Sequence, residues 1–334
     1  MTTQHEMTGS SRCLSTAGIA FLTLAFCGVS GAQAQTYPSK TVRLVLPFPP
    51  GGGTDVVGRL LAQKLAPPLG QQVIVENRAG AGGRIGTELV AKSPPDGYTL
   101  LLGTSSVMGT SPALYQKLPY DMPKDFAPIS QVAYTAYVLV MHPSVPVTSV
   151  KGLIALAKSK PGRLTYASSG GGGAAHLAGE LISSMAGVRM IHVAYKGSAP
   201  GMFSVVSGET DFMFTNTLPA LPQVKNGRLR ALAVTTPQRS ALLPGVPTVA
   251  ESGMPAFEVQ QNYGILAPAG TPREIVNRLN QEIGKVMGTD DAKSRLLADG
   301  SEAKVGTPEE LEKAIVAEIE KWQKVVKQAG IREE

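Results

Sequence analysis

The sequence predicts an α/β fold of two domains, each a mainly parallel sheet flanked by helices, with a ligand cleft between them. Three observations carry this. Strand-like and helix-like runs alternate, the glycine and hydroxyl loops lie at the carboxyl ends of strand-like runs, and the second half of the chain repeats the grammar of the first. In such sheets ligands sit beyond the carboxyl ends of the strands, where these loops fall. The 334 residues exceed one ordinary core and suit two.

The first unit sets the pattern. Thr41 to Leu46 is rich in β-branched and aliphatic residues, whereas Val56, Val57, Leu60, Leu61 and Leu65 recur with helical spacing. Between them lies PFPPGGGTD, residues 47–55. Gly51, Gly52 and Gly53 leave no side chain between a ligand and the backbone, and the following helix leaves its first N–H donors unpaired. An anion is the natural partner, the alternative being a plain turn capped by Thr54 or Asp55. Asp55 is either a first-turn acid favoured by the macrodipole or the partner of a ligand ammonium. Pro67, Pro68 and Gly70 are expected to end this helix. A second strand, Gln72 to Asn77, leads to Gly80–Gly86 and a helix to Lys92. That glycine run is a poor dinucleotide fingerprint, because it follows the second strand and no acid ends the next one, Tyr98 to Leu102. Gly103 to Ser106 reads as a hydroxyl-rich loop in which Ser105 and Ser106 either donate to a carboxylate or cap a helix.

A polar connection, Asp121 to Ala127, precedes a strand at Tyr137–Met141, with a domain crossing near Gln131 to Tyr137. Ser149–Lys158 is then helical and Leu164–Ala167 a strand. Ser168, Ser169 and Gly170–Gly173 form a second glycine loop ahead of a helix from Ala174 to Met185. A strand at Ile191–Tyr195, a turn at Lys196–Ser198, a helix at Pro200–Val206 and strands at Asp211–Asn216 and Leu229–Thr235 follow. Glu258 to Leu266 is expected to cross back. Two final helices are announced by capping boxes, Thr271–Glu274 and Thr307–Glu310.

The N-terminus reads as a secretory signal: Arg12, an apolar run from Ile19 to Phe26, and Ala32-Gln33-Ala34 as a cleavage motif. Both cysteines, Cys13 and Cys27, fall inside it, so the exported chain would hold no disulfide or thiolate metal site; a lipid anchor on Cys27 is the rival reading. Net charge is +6, with the charges scattered singly, which gives nucleic-acid binding little support.

Catalysis finds no constellation. His142, His176 and His192 lack metal-ligand spacing, and there is no Gly-x-Ser-x-Gly elbow. His192 lies in a strand as a satisfied histidine. His176, in the first turn after the second glycine loop, either contacts a ligand or packs. Lys196 is either a ligand charge partner or a solvated lysine, and Tyr195 walls the cleft or packs. Trp322 reads as core.

Residues 47–55, 76–83 (ENRAGAGG) and 95–100 (PDGYTL) resemble the signatures of the Bug family, also called TctC-like, the periplasmic solute-binding proteins of tripartite tricarboxylate transporters. The resemblance continues through 167–170, His176-Leu177, Tyr195-Lys196-Gly197, 229–234 and 247–253. It implies a type II-like periplasmic binding protein without cofactor, metal or catalytic residues. Residues 1–34 would be the signal peptide, 35–134 with 262–334 one domain and 135–261 the other. It implies capture of a di- or tricarboxylate, acidic amino acid or aromatic acid, delivered to membrane permease subunits; a sensor receptor is the alternative partner, and an enzyme acting on a phosphorylated or carboxylated substrate a distant alternative. Carried over residue by residue, the ligand set is Phe48, Gly51, Gly52, Thr54, Asp55, Ser105, Ser106, Ser168, Ser169, His176, Lys196 and Asn216. The sequence departs from the family at Ala79 and Ala194, where proline is common, at Gly173, where threonine is common, and at Thr215, where aspartate often stands. The last favours a more anionic ligand or one without an ammonium.

Overall fold

The computed structural model describes residues 37–170 and 173–330; the expected signal peptide and its cleavage near Ala34 lie outside them. In chain order the elements are β1 (Val42–Leu46), α1 (Gly53–Leu69), β2 (Val73–Asn77), α2 (Arg84–Ala91), β3 (Thr99–Thr104), α3 (Ser111–Leu114) and β4 (Phe126–Met141). Then come α4 (Val150–Ser159), β5 (Thr165–Ser168), α5 (Ala174–Ala186), β6 (Ile191–Ala194), α6 (Ser198–Val206), β7 (Phe212–Asn216), α7 (Thr217–Lys225) and β8 (Arg230–Val234). The chain returns through β9 (Gln260–Pro268) to α8 (Arg273–Met287), α9 (Asp290–Ala298), β10 (Glu302–Ala303) and α10 (Pro308–Ala329).

The strands form one sheet in the order β2-β1-β3-β9-β4-β7-β5-β6, with β8 and β10 also paired to β4. The parallel strands expected from the alternation are two triplets, β2-β1-β3 and β7-β5-β6. The strands joining them, β9 and β4, run antiparallel to their neighbours. The sixteen-residue β4 serves both sections: Phe126 to Ala136 pairs with β9, and Tyr137 to Met141 with β7.

Alternation along each strand feeds a core on either face. In β1, Val42, Leu44 and Leu46 pack with Val57, Leu61 and Leu65 of α1, whereas Val45 joins Val90 of α2 on the other side. In β4, Leu139 and Met141 meet Leu177 and Ile182 of α5, while Val138 and Val140 face Val205 of α6. The result is helix, sheet, helix in both sections. Helix α10 serves cores in both, with Leu311, Ile315 and Ile319 in the first and Trp322 and Val325 in the second.

Several boundaries depart from the sequence reading. Helix α1 runs through Pro67 and Pro68, whose fixed φ is helical, and ends at Gly70, φ 66°, whose N–H bonds the Pro67 carbonyl. Gly103 and Thr104 belong to β3, paired with Gly264 and Tyr263, and a π-helical turn, Ser106–Thr110, replaces the expected loop. Strand β4 begins eleven residues earlier than Tyr137, at Phe126. Helices α7 and α9 were not expected. The capping box at Thr307 forms; the one at Thr271 does not, because the Thr271 hydroxyl donates to Pro268 O (2.7 Å) and Pro272 takes the cap position.

Gly86 brings α2 against the loops that follow β1 and β2. A Cβ there would lie 2.6 Å from the Arg78 carbonyl oxygen and 3.0 Å from Pro47 Cα, both backbone atoms with little room to move. Gly86→Ala is therefore expected to cost about 1–3 kcal/mol in urea unfolding.

Candidate ligand-binding site

The first glycine loop is held open from within. Gly51 adopts φ 85°, and Gly52, the N-cap of α1, is extended and makes no side-chain cap. Asp55, only 6% exposed, closes the loop instead. Its Oδ2 accepts from the Gly51 N–H (3.0 Å) and from Arg59 Nε (2.9 Å), and its Oδ1 from Asn77 Nδ2 (3.1 Å). Asn77 also donates to the Phe48 carbonyl (3.0 Å), tying the end of β2 to the same loop. These donors, Arg59 foremost, hold the Asp55 carboxyl at about 2 against the opposing effect of burial. Outward, among the described residues, no atom beyond the chain neighbours lies within 4 Å of where a Cβ would sit on Gly51 or Gly52. Among the described residues, the Gly53 and Thr54 N–H groups have no acceptor. Phe48 packs partly buried in the core beneath.

The returning strand lies close by. Tyr263 of β9, opposite Thr104 of β3, brings its hydroxyl to within 2.9 Å of the place a Gly53 Cβ would take. Ser105 is engaged by the same strand: its Oγ donates to Gln260 O (3.0 Å) and accepts from Asn262 N (2.8 Å). Ser106 starts the π-helical turn, its carbonyl accepting from Thr110 Oγ1 (3.1 Å). Tyr137 of β4 sits opposite Asn216 of β7. Burial raises the Tyr137 phenol, and the nearby Tyr263 raises it further. Among the described residues, the buried hydroxyls of Thr104 and Thr215, at the carboxyl ends of β3 and β7, have no hydrogen-bond partner.

The second loop rests on a stack of rings. Ser168 Oγ donates to Gly170 O (2.9 Å), accepts from Gly170 N (3.1 Å) and is hydrogen-bonded to His192 Nε2 (2.7 Å). His192 stacks on His176 at 3.8 Å between centroids and 11° between planes, and Tyr166 stacks on His192 at 5.0 Å. The Tyr166 hydroxyl donates to Glu180 Oε1 (2.5 Å), which lies 3.8 Å from His176 Nε2. Burial lowers both histidines; His192, with His176 beside it, falls to about 4. The end of β6 is pinned to this loop, since Tyr195 N donates to Ser168 O (3.0 Å) and Gly197 N to Ser169 O (3.1 Å). Lys196 between them is exposed, as are Ser169 and Asn216.

The profile of the tripartite tricarboxylate transporter family receptor, TctC, matches residues 57–331. The chain belongs to the TctC family. Three solved structures resemble it closely. An R. palustris protein with adipate is 38% identical, TM-score 0.75, over 89% of this chain and 99% of its own. The periplasmic binding protein BugD is 34% identical, TM-score 0.72, over 89% and 100%. MatC from Rhodopseudomonas palustris with bound malate is 31% identical, TM-score 0.72, over 87% and 100%. The fold is thus that of a periplasmic solute-binding protein, and no helix among the described residues is long and apolar enough to cross a membrane.

In this TctC-family chain the twelve residues expected at the site fall into three groups. Phe48, Gly51, Gly52, Thr54 and Asp55 share the first loop; Ser105 and Ser106 follow β3; Ser168, Ser169, His176 and Lys196 gather at the second loop, with Asn216 at the end of the adjacent β7. His176 and Ser168 face inward to the ring stack, and Ser105 is spent on β9. Sequence reasoning missed Asn77, Arg59 and Tyr263. The i, i+4 spacing of Asp55 and Arg59 was a readable signal. So was the polar run Gln260-Gln261-Asn262 inside a strand. Asn77 meets Asp55 only through the pairing of β1 with β2. Among the described residues no group of three His, Cys, Asp or Glu is placed to hold a metal ion.

Proposed function

We propose that the chain is an extracytoplasmic solute-binding protein. It captures a small carboxylate between the two sections of its sheet and delivers it to membrane permease subunits. The observation that carries this reading is the first glycine loop, where the unpartnered Gly53 and Thr54 N–H groups lie at the N-terminus of a seventeen-residue helix beside open space. A carboxylate there gains charge-assisted hydrogen bonds of roughly 1.5–3 kcal/mol each and a further ~0.3–1 kcal/mol from the helix end. A few such contacts, less the ordering cost, reach the roughly 8 kcal/mol of micromolar binding. The adipate and malate in the two R. palustris neighbours support the same chemical class.

In this reading residues 35–134 with 262–334 form one domain and 135–261 the other, hinged where β4 and β9 pass between them. The signal segment directs export and is removed near Ala34. The site is read as binding without turnover: Ser168, the hydroxyl that meets His192 Nε2, is fully buried and donates its proton to Gly170 O. A thermal-shift screen of the ligand-free mature protein tests the reading. A carboxylate at about a hundred times its dissociation constant should add roughly 2.7 kcal/mol, a shift of several degrees. No shift with di-, tri- or monocarboxylates, or turnover of a bound one, would overturn it.

A further inference from the structure

We infer that the surface at the amino ends of β5 and β6 is a docking face for an anionic lipid membrane. The glycine loops lie at the opposite, carboxyl ends of the same strands, so this face and the ligand site are separate.

Cations scattered singly along the sequence are gathered here by the fold. Three segments meet: residues 158–164 between α4 and β5, residues 184–191 between α5 and β6, and residues 321–330 at the end of α10. Gly162 N donates to Arg189 O (2.8 Å), Ile191 N to Leu164 O (2.8 Å), and Ser184 Oγ to Gln328 Oε1 (2.5 Å). Arg189 Nε lies 3.4 Å from where a Gly162 Cβ would sit, which lays the guanidinium against the turn that carries Lys160 and Arg163. The three segments hold seven basic residues and no acid, whereas the whole chain has a net charge of +6, so the charges elsewhere nearly cancel. Lys321 is paired with Glu318. Lys158, Lys160, Arg163, Arg189, Lys324 and Lys327 are exposed, and among the described residues none of them is in an ion pair.

Helix ends account for part of this. Lys158 and Lys327 stand in the last turns of α4 and α10, where the macrodipole favours a cation. That leaves Lys160, Arg163, Arg189 and Lys324 without such a reason. The acids on the neighbouring elements do not neutralise them. Glu180 of α5 takes the Tyr166 hydroxyl and lies beside His176, and Asp211, ahead of β7, accepts from Thr165 N and Oγ1 on the flank of β5 away from β6. Glu209 and Glu320 are exposed and in no ion pair among the described residues; Glu333 and Glu334 lie outside those residues.

Among the cations stand two large apolar side chains turned to solvent, Ile191 at 46% exposure and Met185 at 39%. Flexible cations on turns and helix ends, with apolar side chains between them, suit a surface of diffuse negative charge over an apolar layer. An acidic protein would instead be matched by fixed donors in paired geometry, and none of the six cations has its donors held by a hydrogen bond among the described residues.

Sedimentation of the mature protein with vesicles tests this, using phosphatidylcholine alone and phosphatidylcholine mixed with phosphatidylglycerol in equal parts. At low salt the mixed vesicles are expected to bind about tenfold or more tightly than the neutral ones, and to release the protein at about 1 M salt, where the Debye length is ~3 Å. Arg163→Glu with Arg189→Glu should weaken that binding about tenfold or more, and Ile191→Asn about threefold with the salt dependence kept. Lys225→Glu with Lys304→Glu makes the same change in net charge on exposed lysines outside the three segments and should bind as the wild type does. An unshifted melting temperature shows that the arginine variant is folded, and Lys160→Glu with Lys327→Glu repeats the reversal at two further exposed positions. Equal binding to both kinds of vesicle, unchanged binding after both reversals, or an equal loss in the Lys225 and Lys304 variant overturns the inference. Tighter binding to polyglutamate in solution than to the mixed vesicles also overturns it and assigns the face to an acidic protein.

Discussion

Trp322→Ala is expected to lower the stability of the protein by about 3–5 kcal/mol, the range for emptying a buried aromatic site. Trp322 is 1% exposed in the core beneath the second section of the sheet, with Val325 one turn on, while Leu311, Ile315 and Ile319 of the same helix fill a core of the first. Its indole N–H donates to Glu318 Oε1 (2.6 Å), and Lys321 Nζ lies 4.6 Å from the ring centroid. Lys321 also donates to Glu318 Oε2 (3.0 Å) and to the Glu258 carbonyl (3.3 Å), just ahead of β9. The indole therefore fills one core and steadies the clasp by which α10 holds the returning strand. Trp322→Phe keeps most of the filling, loses the N–H donor, and should cost about 1–2 kcal/mol. Urea unfolding followed by circular dichroism is the suitable measurement, because the substitution removes the only tryptophan. A loss under about 1 kcal/mol for the alanine variant would mean that the C-terminal part of α10 contributes little to the second core.

The elements most legible in the sequence are those whose signal is local. β1, the three glycines and α1 announce themselves because a β-branched run, a gap without side chains and a 3.6-residue period follow one another between Thr41 and Leu65. The first half of β4 was hidden because Pro128 and the polar Ser130 and Gln131 break the period, and it is there that the pairing with β9 shifts register. Pro219 and Pro222 masked α7, although the first lies near its N-terminus and only the second in its interior. The site was legible as a set of loops and not as a set of contacts. Which strand ends carry glycine is written in the chain; that His176 stacks on His192 depends on β5 pairing with β6 under α5, a matter of tertiary register. Thr271 shows the same limit, since its hydroxyl found a nearer acceptor than the motif assigns.

Acid should unfold the protein in two separable stages, with opposite titrating partners. The first belongs to the histidine stack. His192 is depressed from 6.5 to about 4 by burial and by His176, which is itself lowered by burial, with the Glu180 carboxylate opposing the shift. As pH falls below 6.5 the unfolded chain takes up the proton while the folded chain refuses it. Stability present above pH 6.5 is therefore lost between 6.5 and about 4, by at most about 3 kcal/mol for His192. The second stage belongs to Asp55, lowered from 3.8 to about 2 by Arg59, Gly51 and Asn77. Here the folded state keeps the carboxylate ionised while the unfolded state protonates, so a further loss of about 2 kcal/mol falls between pH 4 and pH 2. His192→Gln should flatten the first stage and leave the second, and Asp55→Asn should do the reverse, in urea titrations run at half-unit pH steps. The two variants also separate stability from binding. Asp55→Asn frees the first loop and should weaken carboxylate binding even at pH 7, where the folded protein is abundant; His192→Gln disturbs the Ser168 contact and should act on the second loop alone. Equal slopes in the wild type and the His192 variant between pH 6.5 and 4 would show that the stack does not titrate on unfolding, and that its part is limited to packing beneath the loop.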